Sequence, residues 1–179
     1  MRYQFLQVQD YPLTFLQENI EMFSYSLLAF FVPLLMGHPQ FVVGTMVNAA
    51  LVLAALNLKG AKLLPVILLP SLGVLSRGMI FGPFTIFLLI MIPFIWIGNS
   101  LLVFSIKEFY LRRKYNKYLS LGIGISFKVA FLFSMACVLV KASILPVLFL
   151  TAMGLTQVYT AVAGSALAVG VQFTKKRLA

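Results

Sequence analysis

Lys128 stands inside an otherwise uncharged run, flanked by Phe127, Val129, Ala130 and Phe131. Inserting an ionised side chain into hydrocarbon costs at least about 2.5 to 3.5 kcal/mol, so such a lysine faces a bundle interior or a wet cavity. There it can meet an anionic group of a ligand or bind backbone carbonyls. The competing reading is that its four-carbon stem snorkels to the inner interface. From a central position that reach falls short, which favours the interior. Asn48, Asn99, Gln157 and Thr160 stand at similar depth in other apolar runs, and the last two are three apart on one helix face. Taken singly, such groups are ordinary interhelical glue. Several amides together with a lysine point instead to a pocket that hydrogen-bonds a small polar molecule. Gln40, near the end of its run, is suited to line the mouth of that pocket. Arg77 reads as an interfacial anchor that at an entrance would attract anions. The substrate-binding candidates are therefore Gln40, Asn48, Asn99, Lys128, Gln157 and Thr160.

The chemistry the sequence lacks narrows the function further. All four acidic residues, Asp10, Glu18, Glu21 and Glu108, fall near the ends of apolar runs. A proton-coupled carrier or an aspartyl intramembrane protease needs a carboxylate within the bilayer, so both are disfavoured. His38, the single histidine, sits at a turn before Pro39 and reads as a solvated turn residue. Ser71 and Ser165 lack a nucleophile-elbow context and a nearby base. There is no G-x-x-x-x-G-K-[ST] loop. Cys137, the only cysteine, can form neither an internal disulfide nor a thiolate cage. We expect no enzymatic activity, no cofactor and no metal. Active transport would have to draw its energy from a partner.

The elements that position these residues follow from composition. Of 179 residues, 61% are hydrophobic and only 10% charged, and the mean hydropathy is +1.01. Soluble proteins are about a quarter charged. A soluble enzyme, a disordered chain and a nucleic-acid module are excluded, and the partner implied by composition is the lipid bilayer. The uncharged stretch from Met22 to Leu58 is too long for one span and breaks at Gly37, His38 and Pro39. Further breaks at Lys59 to Lys62, Arg77 to Pro83, the basic block Lys107 to Lys117, and Lys141 to Ser143 complete the division. The expected fold is a single all-α domain, a compact bundle of six transmembrane helices near 20–36, 39–57, 60–76, 83–106, 118–140 and 143–173. The third is marginal in length, and Pro93 marks a kink in the fourth. Residues 1–19 carry Asp10, Pro12 and Glu18, which interrupt any signal-peptide core. Their interleaved Tyr3, Phe5, Leu6, Val8, Tyr11, Phe15 and Leu16 suit a segment lying at the inner interface.

Charge tests this layout independently, because Lys and Arg gather on the cytoplasmic side of real spans. Eleven of the fourteen cations fall on one face: Arg2, the Lys59 and Lys62 loop, five in the Lys107 to Lys117 block, and Lys175, Lys176 and Arg177. Arg77 and Lys141 fall on the other, and Lys128 lies within a span. Both termini are expected in the cytoplasm, in a multi-pass protein of the cell membrane. The net charge of +10 then reflects anchoring rather than a polyanionic substrate. In the sixth span Thr160, Gly164 and Ala168 form a small-residue row, with Ala161 and Ser165 beside it. This face packs within the bundle or docks another subunit. Gly78 and Gly82 are similarly spaced, although Pro83 makes a turn the better reading.

Local segments carry a family resemblance. They are Gly44 to Leu51 (GTMVNAAL), Pro70-Ser71-Leu72, Gly82-Pro83, Pro93-Phe94-Ile95 with Gly98-Asn99, and Gln157 to Ala168 (QVYTAVAGSALA). With six short spans and no ATPase motif, the chain resembles the substrate-binding S components of energy-coupling factor transporters. That resemblance implies capture of a vitamin-like small molecule from outside. It also implies docking onto a transmembrane coupling subunit driven by cytoplasmic ATPases, with the whole component toppling in the bilayer. One departure is that Phe23 to Phe31 lacks the A-x-x-x-A docking pair many members carry in the first helix. The alternative function is a non-catalytic structural or assembly subunit of a larger membrane complex. Its marks would be an apolar docking groove and a basic Lys107 to Lys117 block set against an acidic partner.

Overall fold

A computed structural model describes residues 4–36, 38–81 and 85–178. Arg2, Tyr3, Gly37, Gly82 and Pro83, on which parts of the expected layout fall, lie outside the described residues. The described chain is helical, with no strand among its elements: α1 (Phe15–Leu35), α2 (Gln40–Asn57), α3 (Leu63–Phe81), α4 (Thr85–Ser105), α5 (Lys117–Lys141), α6 (Leu148–Met153) and α7 (Leu155–Leu178). Five helical stretches are long and apolar enough to cross a membrane: Gln40–Asn57, Gly60–Gly78, Ile86–Arg112, Lys117–Lys141 and Leu148–Arg177. Helix α1 is also long, at 21 residues, but carries Glu18 and Glu21 near its start.

Large apolar side chains face outward, and a set of polar ones is held inside an otherwise apolar core. Asn48, Asn57, Asn99, Lys107, Lys128 and Gln172 are buried, while Leu16, Ile20, Phe23, Leu27, Phe127, Tyr159 and Phe173 are exposed. Apolar surface turned outward, with polar groups kept inside, is the arrangement a lipid solvent favours.

Helix α2 is the centre of the bundle. Every residue from Asn48 to Leu58 is buried, as expected of a helix apolar on all sides. It packs most extensively on α7, while α1 packs on α3 and α4 on α5. Small residues permit the α2–α7 approach. A Cβ on Gly164 would stand 2.6 Å from the Thr45 carbonyl oxygen, and one on Gly44 would stand 2.7 Å from Thr160 Cγ2. Thr160, Gly164, Ala168, Ala161 and Ser165 are all buried. Their small-residue face is thus used inside the bundle.

Local boundaries depart from the sequence expectation in physically explicable ways. Helix α1 begins at Phe15 rather than near residue 20, because Thr14 and Gln17 form a reciprocal cap. The Thr14 hydroxyl accepts from the Gln17 N–H at 3.3 Å, and the Gln17 side chain accepts from the Thr14 N–H at 3.0 Å. The preceding segment packs into the bundle, with Leu6 and Val8 against the main core and the Asp10 N–H donating to the Leu56 carbonyl at 2.8 Å. Helix α3 continues past Arg77 and Gly78 to Phe81. Helix α4 does not end at the basic block but runs on as a π-wound stretch, Ile106–Arg112, which draws Lys107 into the core. The expected sixth span is not continuous: after Ser143 the chain forms the short α6, breaks at Gly154 and restarts as α7. A Cβ on Gly154 would lie 2.8 Å from the Leu150 carbonyl and 3.0 Å from Phe133 Cδ2, so the break is packed tightly against α5.

One end of the bundle is an ionic clamp. Lys62 pairs with Glu18 at 2.9 Å, Lys176 with Asp10 at 2.8 Å, and Lys175 with Glu21. Lys107, fully buried, donates to the Val8 and Leu58 carbonyls, each at 2.5 Å. Asn57 and Gln172 exchange amide hydrogen bonds at 3.0 and 2.8 Å, and Gln172 also donates to Asp10 at 3.0 Å. These contacts gather residue 10, the start of α1, the α2–α3 turn, the π-wound stretch and the end of α7 at one end, the grouping the charge pattern implies.

Candidate functional site

Starting from the other end, a cavity of about 440 Å³ runs into the bundle between α1, α2, α3, α4, α5 and α7. Exposed His38 and Gln40 stand at its mouth with Arg77. The arginine guanidinium donates to the Leu34 and Leu35 carbonyls at 3.4 and 3.2 Å, tying α3 to the last turn of α1. At its floor is Lys128, 2% exposed. Val43, Val47, Val74, Leu88, Ile92, Ile95, Leu132 and Met153 supply apolar walls. The volume falls in the range of small-molecule pockets, roughly 300 to 1,000 Å³.

All six residues selected from polarity and depth line this one cavity. The structure joins three of them directly. Lys128 Nζ donates to Asn48 Oδ1 at 2.6 Å, and Asn48 Nδ2 donates to Thr160 Oγ1 at 3.3 Å and to the Gly44 carbonyl at 2.9 Å. Thr160 in turn donates to the Thr156 carbonyl at 2.8 Å. The amide of Asn48 is thereby fixed with its nitrogen toward α2 and α7 and its oxygen toward the lysine. Asn99 serves a different contact, donating to the Ile67 carbonyl at 3.1 Å and linking α4 to α3. Gln157 lines the wall one turn above Thr160, and Gln40 stays near the rim.

Several contributors escape a reading of the sequence. Ser71 accepts a hydrogen bond from Trp96 Nε1 at 2.7 Å and donates to the Leu68 carbonyl at 2.8 Å, bracing the α3 wall beside Pro70. Thr156 joins the lining because the break at Gly154 lets α7 begin beside the cavity. A tryptophan in an apolar run signals nothing by itself, but its indole N–H must find an acceptor when buried, and a small hydroxyl across the bundle is a natural one.

The electrostatics are one-sided. Lys128, Arg77 and His38 line the cavity, and among the described residues no Asp or Glu does. The acids are held elsewhere: Asp10, Glu18 and Glu21 in the opposite clamp, and Glu108 with Arg112 and Arg113 at 2.9 and 2.7 Å. Among the described residues no cluster of three His, Cys, Asp or Glu comes together that could hold a metal ion. The arrangement can therefore bind and orient a molecule through charge and amides within an apolar sleeve.

Fold and site define a class: a helical protein with several helices of membrane-spanning length and apolarity around a cavity, with ion pairs gathered at the opposite end of the bundle. In comparisons with protein-family models, curated proteins and solved structures, nothing matches the chain.

Proposed function

We propose that the protein is the membrane-embedded solute-binding component of an uptake transporter, capturing a small polar micronutrient-like molecule from outside. The observation that carries this reading is the cavity itself. It descends from an exposed rim to a buried lysine–amide–hydroxyl relay, while ion pairs gather at the other end of the bundle. In this reading α1 is the sixth crossing and the ionic clamp faces the cytoplasm, as the concentration of Lys and Arg there favours. The cavity then opens outward. Energy comes from partner subunits, a transmembrane coupling protein and cytoplasmic ATPases, as the resemblance to S components implies. Docking would use a first helix whose outer face is bulky, with Phe23, Leu27 and Phe31 exposed.

A purely structural subunit has no use for a polar-floored cavity, so the cavity supports solute binding over assembly. The test is a thermal-stability screen of the purified protein against vitamins and nucleobase-like compounds, run in parallel on Val74→Trp, which fills the cavity from α3. A compound that stabilises the parent and not the variant supports the reading. Equal responses from both remove it.

A further inference from the structure

Every acidic side chain of this protein is engaged in an ion pair: Glu18 with Lys62, Glu21 with Lys175, Asp10 with Lys176, and Glu108 with Arg112 and Arg113. None of these pairs lies in the cavity. Lys128, more deeply buried than any of these paired cations, has among the described residues only the neutral Asn48 carbonyl oxygen as its side-chain acceptor, at 2.6 Å. An ammonium has three donors, and burial without a counter-charge strongly disfavours its charged form. A ligand can offset that penalty by bringing the missing anion.

From this we infer that the cavity takes a small organic monoanion, a carboxylate on a compact apolar body, with the carboxylate seated on Lys128. This rests on the solute-binding reading above and adds the chemical class of the solute. Three features of the site converge on it. The lining contains cations and neutral amides without an acid that would repel an anion. Asn48 cannot turn to present its N–H groups to the carboxylate, because that nitrogen already serves Gly44 and Thr160, so the lysine is the anion's principal donor. Val47, Ile92, Ile95 and Leu132 line the same cavity with hydrocarbon, which suits an apolar body and would penalise a second charge. With one deep cation, one negative charge is neutralised. The same carboxylate chemistry is available from an aqueous solute and from a fatty acid of the bilayer.

The experiment is affinity-selection mass spectrometry on the full chain in phosphatidylcholine nanodiscs. Matched probes are benzoate with benzamide, indole-3-acetate with indole-3-acetamide, and hexanoate with hexanamide, and palmitate with palmitamide forms the lipid arm. The parent is compared with Lys128→Met, Lys128→Arg and the cavity-filled Val74→Trp. We expect the parent to retain carboxylates over their amides by about tenfold or more, the strength of a hydrogen bond to a charged group. Lys128→Met should lose that preference and Lys128→Arg should keep part of it, the latter guarding against a Met variant that fails to fold. Preference for the short acids supports the assignment to a small aqueous solute, and preference for palmitate alone overturns the compact body in favour of a bilayer fatty acid. Amides retained as well as carboxylates, or a preference unchanged in Lys128→Met, overturns the anion assignment while leaving the cavity a binding site. If no probe is retained above the Val74→Trp level, the binding-site reading fails and this one falls with it.

Discussion

Lys128 on α5 and Asn48 on α2, eighty positions apart in the chain, meet at 2.6 Å in the middle of the bundle. Their contact places a charge and its amide acceptor at the floor of a cavity whose walls are otherwise mostly aliphatic. Replacing Asn48 with Leu leaves the buried ammonium without that acceptor, whereas Asn48→Leu combined with Lys128→Met removes both partners. The single Asn48 change is expected to lower thermal stability more than the double change, with a coupling of about 1 to 3 kcal/mol. A double-mutant cycle by thermal unfolding in detergent measures it.

Gly164 should tolerate no side chain. A Cβ there meets the Thr45 carbonyl oxygen at 2.6 Å and the Ala49 nitrogen at 2.8 Å, both backbone atoms that cannot step aside. Gly164→Val is expected to destabilise the fold by about 1 to 3 kcal/mol through overpacking. Gly170→Ala, on the same helix with nothing within 4 Å of its Cβ position, should be close to neutral. Their melting temperatures, compared side by side, decide it.

Much of the cavity lining was legible because polar residues are conspicuous in apolar runs. Asn48, Asn99, Lys128, Gln157 and Thr160 stand out where nearly every neighbour is apolar, and depth alone brings them to one cavity. The same logic fails at the ends of helices, where polar residues are expected. Lys107 read as one more basic anchor, and nothing local reveals that the π-wound stretch turns it inward to the Val8 and Leu58 carbonyls. Asn57 and Gln172 passed unnoticed for the same reason, since their pairing joins residues 115 positions apart. Gly154 looked like any glycine in an apolar run, although its packing against Phe133 divides the last span. The Thr14 to Gln17 cap, by contrast, is a recognisable helix-start pattern in the sequence.

Removing the Lys107 ammonium should release the N-terminal segment. Lys107→Met leaves the Val8 and Leu58 carbonyls without their shared donor, a loss on the order of 1 to 3 kcal/mol. Faster amide hydrogen exchange over residues 4–14, with the α2 core unchanged, is the expected result. Uniformly faster exchange would mean that Lys107 supports the whole bundle rather than this segment.

The pairing of Asp10 with Lys176 should fail in acid. Burial alone would raise the Asp10 pKa, but hydrogen bonds from Lys176 and Gln172 and the lysine charge together hold it below its ordinary value of 3.8. A carboxyl depressed in the folded state contributes stability that is complete above the unfolded pKa and is lost as pH falls through the folded one. The parent is therefore expected to lose more stability between about pH 5 and pH 3 than Asp10→Asn does. Parallel pH dependences in the two proteins would show that Asp10 is not part of the acid response.

The most direct measurement is the reach of water into the cavity from outside. In a Cys137→Ala background, Gln40→Cys at the rim, Gln157→Cys on the wall and Ala161→Cys at a fully buried position of α7 are each exposed to a membrane-impermeant maleimide. Sealed right-side-out vesicles are used. Labelling of the residue 40 and 157 variants, with none at 161, is the result expected of an outward-facing solute cavity. A residue 157 variant that stays unreactive while the rim variant labels, or that reacts only when the inner face is opened, would contradict it.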